Sequence, residues 1–189
     1  APGYVNVRLN AQWLAQRLDD IAEHGTEFGR SHLGAGQTVN LEFVSANPTG
    51  LPSFGNGRTL FWADTLGRVL SSSGYAVTRE YYVNDVGTQG RLYGESILRR
   101  ILQAAGHDVP FAENLYQGEE VKIIAQEVAE RVSEEDRHVF SERDLADEPF
   151  LARVARIAVE ETIRATREVL ERICGVTFDV WFFEHTVHE

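Results

Sequence analysis

The chain has 189 residues, 43% of them hydrophobic, and its 29 acidic against 18 basic side chains give a formal charge of -11. This composition can bury the core of a globular domain, and the acidic balance argues against binding nucleic acid through a broadly basic surface, because phosphate binding needs clustered Lys and Arg. The single cysteine, Cys174, excludes an intramolecular disulfide. Since the sequence shows neither an apolar run of roughly 18 residues nor a signal segment, we expect a cytoplasmic protein without a membrane span.

The chain begins with a predicted helix and a connector. Residues 11–24 place apolar side chains at helical spacing, and residues 25–36 contain four glycines. We therefore interpret residues 1–36 as a lead-in helix and connector from a preceding N-terminal domain. On this interpretation Ala1 is either a processed start or a point inside a longer chain.

A parallel βαβ unit is predicted next. The segments "TVNLEFVS" (38–45) and "YAVTREYYV" (75–83) are rich in β-branched and aromatic residues. Between them, "GRTLFWADTLGRVLSSSG" (57–74) has a helical pattern that Gly74 closes, and we expect Trp62 of this helix in the core. Two strands joined by one helix within about 45 residues are typical of a right-handed parallel crossover.

The second half of the chain predicts three more helices and a third strand. One helical pattern lies in residues 87–106, and a long one starts near Phe150, with Asp147 as its expected N-cap and Ile173 on its buried face. The segment "FDVWFF" after it is strand-like. Because residues 107–148 are polar and acidic around one amphipathic helix, we interpret them as a helical insertion on the surface.

The first predicted strand runs into "SANPTGLPSFGNGR" (45–58), which contains two prolines and three glycines. In an open parallel sheet, ligands bind beyond the carboxyl ends of the strands, and a glycine-rich turn before a helix lets the backbone approach a ligand beside free N–H groups. This arrangement favours a nucleotide, although the same glycines could simply supply tight turns. The spacing matches neither a Walker loop nor a dinucleotide-binding GxGxxG.

Glu42 interrupts the apolar pattern of the first strand, between Leu41 and Phe43. Because a central parallel strand is normally a continuous apolar run, we interpret Glu42 as a half-buried carboxylate beside the ligand crevice. Arginine would match it well, since a planar guanidinium pairs with a carboxylate through two hydrogen bonds. The alternative is that the strand is amphipathic and that Glu42 faces water.

Segments spread over nearly the whole chain share one resemblance. They are "VNLEFVSANPTG", the glycine loop that ends in "GR", "SSSGYAVTREYYVNDVGTQ", "YQGE" and "FDVWFFEHTVHE". In this order they resemble the first half of the catalytic domain of bacterial-type arginyl-tRNA synthetases. The combination of "EFVSANPTG" and "REYYVNDVG" is highly specific for that family.

The resemblance implies an α/β fold in residues 37–189, with a Rossmann-like parallel sheet and helices on both faces. It implies an enzyme that makes arginyl-adenylate from arginine and ATP, with magnesium, and then transfers arginine to its tRNA. It further implies a monomer without a bound cofactor. By position in the family's motifs, the arginine-binding residues would be Glu42, Ser45 and Asn47, the ATP-binding residues Thr49, Gly50, Gly55 and Gly57, and the residues near the active site Asn84, Asp85 and Gln89.

The chain departs from the family at the class signature His-x-Gly-His, where it has Ser53, Phe54, Gly55 and Asn56. In the class, the two histidines stabilise charge on the ATP phosphates while the adenylate forms. Losing one preorganised donor of this kind typically costs about 3 kcal/mol, or roughly 10²–10³ in rate. With Ser53 and Asn56 at the two catalytic positions, we therefore expect a severe rather than a total loss of activity.

The resemblance also implies that the rest of the arginine pocket, the Lys-Met-Ser-Lys-Ser loop and the tRNA-reading domain lie beyond Glu189, so we interpret the chain as a fragment. One alternative is a catalytically impaired paralogue that serves as an arginine- or nucleotide-binding module, which Ser53 and Asn56 favour. Another is a generic nucleotide-binding α/β domain, which would bind ATP without any preference for arginine.

A metal site is not expected. Glu184, His185, His188 and Glu189 could be drawn as ligands, but two histidines three residues apart at the end of a chain are more often exposed to solvent, and the family needs no structural zinc.

Overall fold

A computed structural model describes residues 3–187, apart from the side chain of Asp136. A π-helical segment, Glu168–Ile173, continues the last long helix. In chain order the helices and strands are α1 (Ala11–His24), β1 (Thr38–Glu42), α2 (Phe54–Ser72), β2 (Ala76–Val83), α3 (Thr88–Ala104), α4 (Glu119–Asp136), α5 (Glu148–Arg167) and β3 (Val180–Phe183).

The strands form one parallel sheet in the order β1-β2-β3. Glu42 of β1 lies opposite Glu80 of β2, and Tyr81 of β2 lies opposite Trp181 of β3. A single helix, α2, connects β1 to β2, as the spacing of the segments predicted. The predicted α/β class with a parallel sheet is therefore confirmed.

One face of the sheet is buried and the other is open. Phe43, Tyr81 and Val83 point to the same side and pack with residues of α2 and α5 in one hydrophobic cluster. On the opposite side, Asn40 and Glu42 are exposed. The prediction placed helices on both faces, whereas the described residues cover one face, because right-handed crossovers that add strands in one direction leave their helices on the same side.

A second hydrophobic cluster lies between α3, α4 and α5, away from the sheet. Val121, Val128 and Val132 of α4 are fully buried in it. That residues 107–148 form an insertion stays a prediction. The helix within them, α4, does not lie on the surface with all its sides exposed. Its polar residues occupy one side only, and composition alone could not show that the other side packs into a core.

The start of α2 differs from the prediction. The helix begins at Phe54 with Ser53 as its N-cap, so Gly55 and Gly57 lie in its first turn rather than in the preceding loop. The Ser53 side chain accepts from the Asn56 backbone N–H, and the Asn56 side chain accepts from the Ser53 N–H, which forms a capping box. This reciprocal pair satisfies helix N–H groups and fixes the helix start earlier than the glycines suggested.

Two predictions of burial are wrong. Trp62 is 71% exposed on the outer side of α2, and Ile173 is 66% exposed. Ile173 belongs to the π-helical segment, in which the wider hydrogen-bonded turn shifts side chains away from the face that a regular α-helix would continue. For Trp62, hydrophobicity indicated a buried residue, but the side of α2 that packs on the sheet carries Leu60 and Ala63 instead.

No residue of α1 is buried. The connector after it is attached to the turn between α2 and β2, because the Gly34 N–H donates to Ser73 O at 2.8 Å and the Gly36 N–H donates to Gly74 O at 3.1 Å. Within residues 3–187, none of the helices combines the length and the apolar character that crossing a membrane requires.

Candidate functional site

Glu42 and Ser45 lie together where β1 ends. The Ser45 hydroxyl donates to the Glu42 carboxylate and accepts from the Tyr82 backbone N–H at 3.1 Å. Glu42 is exposed rather than half-buried, because β1 is not a strand buried on both faces and its burial alternates along the chain. The prediction that Glu42 is half-buried is therefore wrong, but the carboxylate does lie at the carboxyl end of the strand, as predicted.

The backbone is strained just after β1. Val44 and Ser45 have φ values of 68° and 38°, in the left-handed region that β-branched residues in particular avoid. The Tyr81 hydroxyl holds this turn, since it accepts from the Ala46 N–H at 3.1 Å and donates to the Ala46 carbonyl at 3.2 Å. Burial raises the pKa of Tyr81 to about 12, so the hydroxyl keeps its proton near neutral pH.

Asn47 is joined to the first turn of α3. Its side-chain amide donates to Gln89 Oε1 at 2.9 Å, and its backbone carbonyl accepts from the Thr49 N–H at 2.8 Å. Two residues that the resemblance placed near the substrate are thus in direct contact across 42 positions of sequence. This contact brings the loop after β1 and the start of α3 to the same edge of the sheet.

The residues predicted to bind ATP divide into two places. Gly55 and Gly57 lie beside the Ser53–Asn56 capping box, and no heavy atom would lie within 4 Å of a Cβ at Gly57. Gly50 instead lies near α4, where a Cβ would be 3.6 Å from Glu120 Oε1. The start of α2 therefore leaves room for a ligand, whereas Gly50 faces a carboxylate that a phosphate would avoid.

Asn84 and Asp85 meet the end of β3. The Asn84 amide, assigned with its nitrogen toward Glu184, donates to Glu184 Oε2 at 2.6 Å. Asp85 Oδ1 accepts from the His185 backbone N–H at 3.1 Å, and Asp85 Oδ2 pairs with the His185 ring. Desolvation, followed by the Glu184 and Asp85 carboxylates, raises the pKa of the Tyr82 hydroxyl.

Sequence reasoning missed Glu184 and His185 as members of this edge, because it considered them only as metal ligands at the end of the chain. A signal was available, since they follow β3 directly and the carboxyl ends of parallel strands meet at one edge. Together with Glu42 and Asp85, Glu184 gives this edge three carboxylates. Such an edge suits a cationic ligand group.

A cavity of about 690 Å³ opens beside this edge, between α3 and α5. Its lining includes Asp85, His185 and the Arg91–Glu148 ion pair, in which the closest N–O distance is 2.5 Å. Gly90 and Ala152 make part of the wall with small side chains. The volume is in the range of pockets that hold small molecules.

The side chains that the structure describes do not form a metal centre. Between residues 3 and 187, no group of three or more His, Cys, Asp or Glu side chains is arranged to hold an ion. His188 and Glu189, which sequence analysis weighed as ligands, lie outside the described residues.

Comparisons with known proteins bear on the family. No protein-family model matches the chain. An arginine–tRNA ligase from Carboxydothermus hydrogenoformans is 37% identical over 188 residues, which is 100% of this chain and 32% of that protein. An arginine–tRNA ligase from Desulforudis audaxviator is 41% identical over 189 residues, again 100% of this chain and 32% of the relative.

Comparison of the fold with solved structures also leads to arginyl-tRNA synthetases. A solved structure from Campylobacter jejuni, provisionally described as an arginyl-tRNA synthetase, matches with a TM-score of 0.81 and 28% identity over 95% of this chain and 38% of that one. The resemblance predicted from the motifs is confirmed by these matches. The chain spans about a third of the length of the curated relatives it matches. In sequence and in fold, it is therefore related to the arginyl-tRNA synthetases.

Proposed function

We propose that this chain is the part of an arginine–tRNA ligase that forms the arginine-binding lip and one side of the ATP site. In the complete protein, arginine and ATP would react to give arginyl-adenylate, from which arginine passes to the tRNA. The observation that carries the proposal is the carboxylate-rich edge at the ends of the three strands, in a chain 37% and 41% identical to two arginine–tRNA ligases.

Glu42, Ser45 and Asn47 are proposed to hold the arginine. Ser45 fixes the Glu42 carboxylate, and Gln89 fixes the Asn47 amide, so both groups are oriented before a ligand arrives. The exposure of Glu42 leaves it accessible to a cation. Carboxylates at this edge favour an amino acid with a positive charge over a neutral one.

The first turn of α2 is proposed to face ATP. Gly55 presents a helix N–H group that has no acceptor within the helix, and neither Gly55 nor Gly57 adds a bulky side chain, which suits a phosphate. Magnesium would arrive bound to the ATP phosphates, where it neutralises charge. The described side chains provide no separate site for it.

A second candidate function is a binding module without catalytic activity. The observation that favours it is the use of Ser53 and Asn56 to cap α2, because side chains engaged with each other and with the backbone are less free to contact phosphates. That these two residues stand at the positions of the signature histidines remains a prediction from the resemblance.

Binding of a non-hydrolysable arginyl-adenylate analogue, measured by calorimetry, tests the proposed site. We expect this protein to prefer the arginyl over the lysyl analogue, and we expect Glu42→Gln to weaken the arginyl complex by roughly 10-fold or more, the effect of a lost charged hydrogen bond. Glu80→Gln, on the neighbouring strand, is the matched control and should change binding little. Equal binding of both analogues would contradict an arginine site.

Arginine-dependent exchange between ATP and pyrophosphate in the complete protein separates the two functions. If the protein is an enzyme, Ser53→His combined with Asn56→His should raise the exchange rate. If exchange is absent both before and after this change while the analogue still binds, the binding module is the correct function.

A further inference from the structure

The geometry points to His185 as a positioning residue that holds the Asp85 carboxylate in place for a cationic ligand. Both oxygens of Asp85 are engaged by His185, one by its backbone N–H and the other by its ring Nδ1. These contacts join residues 100 positions apart in the sequence. This inference rests on the proposed function, because it concerns the same arginine-binding edge.

Asp85 needs such a partner because of where it lies. It follows β2 in a short turn before α3, and the two hydrogen bonds to its carboxylate come from His185, which lies after the neighbouring strand, and not from this turn. His185 lies just after the end of β3, the strand next to β2, and hydrogen-bonds to the Asp85 carboxylate from there. The side chain of Asp85 is 11% exposed and that of His185 is 52% exposed, so the carboxylate is the more deeply buried member of the pair.

The carboxylate retains capacity to bind a ligand. Each carboxylate oxygen can accept two hydrogen bonds, and His185 supplies one to each. Asp85 also lines the cavity between α3 and α5. A carboxylate already fixed in one orientation loses less conformational entropy when a guanidinium binds, so the contribution of His185 is to ligand affinity.

His185 is therefore expected to act through its Nδ1 atom and through Asp85, not by touching the reacting atoms. Because the inference depends on the Nδ1 atom, it makes different predictions for His185→Asn and His185→Gln. In His185→Asn the side-chain amide N–H lies near the position of Nδ1, whereas in His185→Gln it lies near the position of Nε2. If His185 is a positioning residue, His185→Ala should lower the affinity for the ligand, His185→Asn should largely retain the affinity, and His185→Gln should not.

The experiment measures the Kd of the non-hydrolysable arginyl-adenylate analogue in the complete protein for His185→Ala, His185→Asn and His185→Gln. We expect Ala and Gln to raise Kd by about 10-fold, the loss for a charged hydrogen bond, and Asn to stay within about 3-fold of the parent. In ATP–pyrophosphate exchange, the KM for arginine should rise more in the Ala and Gln variants than in the Asn variant. The kcat should change less than the KM.

The outcomes are distinct. Restoration by Gln but not by Asn, or a fall in kcat with unchanged KM and Kd, would overturn the inference and assign His185 to the chemical step. Unchanged binding in all three variants would overturn it as well. Glu42→Gln, measured in parallel, tells the two proposals apart. If Glu42→Gln weakens the complex and the His185 variants do not, this inference alone fails, whereas no effect of Glu42→Gln contradicts the proposed function.

Thermal unfolding of each variant accompanies the binding data. If His185→Ala unfolds, the comparison of Asn with Gln decides the question, because both keep a polar side chain of similar size. If the Asn and Gln variants are equally stable and the Asn variant binds the analogue more tightly, the inference is supported; equal affinity, or tighter binding by the Gln variant, would contradict it.

Discussion

Gly94 of α3 lies directly against Ala155 of α5, so that a Cβ atom at Gly94 would be 2.5 Å from the Ala155 Cβ and 2.7 Å from its Cα. Real Cβ atoms do not approach this closely, and the neighbour includes backbone that cannot rotate away. The absence of a side chain at this position allows α3 and α5 to pack in contact. The cavity beside the predicted site opens next to this contact, with Gly90 and Ala155 in its wall.

We expect Gly94→Val to destabilise the protein by about 3 kcal/mol, because overpacking forces the two helices apart. The free energy of unfolding in urea is the measurement. Gly90→Ala in the same helix is the control. There a Cβ would be 3.9 Å from the nearest atom, Asp85 O, so the helix propensity of Ala should raise the free energy of unfolding by up to ~1 kcal/mol. A similar loss in both variants would contradict the packing argument.

Alkaline pH should destabilise the folded protein. Burial raises the pKa of Tyr81 and of Tyr93 to about 12, against an ordinary value of 10.0. Between these values the folded state keeps two protons that the unfolded state has lost, so the free energy of unfolding falls as pH rises, by up to ~1.4 kcal/mol per pH unit for each group. Below pH 10 these groups contribute no pH dependence.

Tyr93→Phe tests this linkage. The Tyr93 hydroxyl lies 2.8 Å from Thr162 Oγ1 in the core, and losing that hydrogen bond should cost about 1 kcal/mol at neutral pH. The slope of stability against pH from 10 to 12 should become less steep, since one of the tyrosines that keep their protons in the folded state is gone. An unchanged slope in urea unfolding measured across this range would show that Tyr93 ionises normally in the folded state.

The capping box of α2 should contribute measurably to stability. Ser53→Ala removes the acceptor for the Asn56 N–H and is expected to cost about 1 kcal/mol of unfolding free energy. Ser53→Asp should restore most of it, because aspartate is an equally good N-cap and its charge suits the helix N-terminus. Ser73→Ala, beyond the other end of the helix, is the control and should have little effect. Failure of aspartate to restore stability would argue against the cap.

Arg131 of α4 connects three carboxylates. It lies 3.1 Å from Glu135 of its own helix, and 2.8 Å from Glu160 and 3.2 Å from Glu161 of α5. Hydrogen bonding to Glu135, opposed in part by desolvation, raises the pKa of Arg131 further above its ordinary value. Arg131→Met should therefore lose about 1 kcal/mol at low ionic strength, more than a single surface pair contributes.

The salt dependence of that loss is the decisive measurement. At about 1 M salt the difference between Arg131→Met and the parent should shrink, because screening weakens partly exposed ion pairs. Arg172→Met is the matched control, since Arg172 is 71% exposed and, among the described residues, its ion pair is with Glu168 of its own turn. A loss of the same size for both variants would show that the network adds nothing beyond single pairs.

The elements whose signals are local were predicted well. The N-cap of α5 at Asp147 is confirmed by its side chain, which accepts from the Phe150 N–H at 3.1 Å. The three strands and their parallel pairing follow from β-rich segments separated by helices. The start of α2 was missed because the glycines and prolines of the loop concealed the Ser53–Asn56 capping box.

The candidate site was predicted in part. The motif "EFVSANPTG" indicated Glu42, Ser45 and Asn47, and the structure brings Ser45 to Glu42 and Gln89 to Asn47. Their roles in binding arginine remain predictions. The contribution of Glu184 and His185 was missed, although their place directly after β3 indicated that they lie at the same edge of the sheet as Asn84 and Asp85.

The sequence by itself determined the order of helices and strands, the parallel sheet and the segments that gather at its carboxyl edge, because hydrophobic periodicity and caps act over a few residues. Only the tertiary structure decided that Glu42 faces the open side of the sheet, that α4 buries one side in a second core, and that His185 hydrogen-bonds to Asp85. These outcomes depend on which elements pack together, and such contacts join distant parts of the chain whose pairing no local pattern specifies.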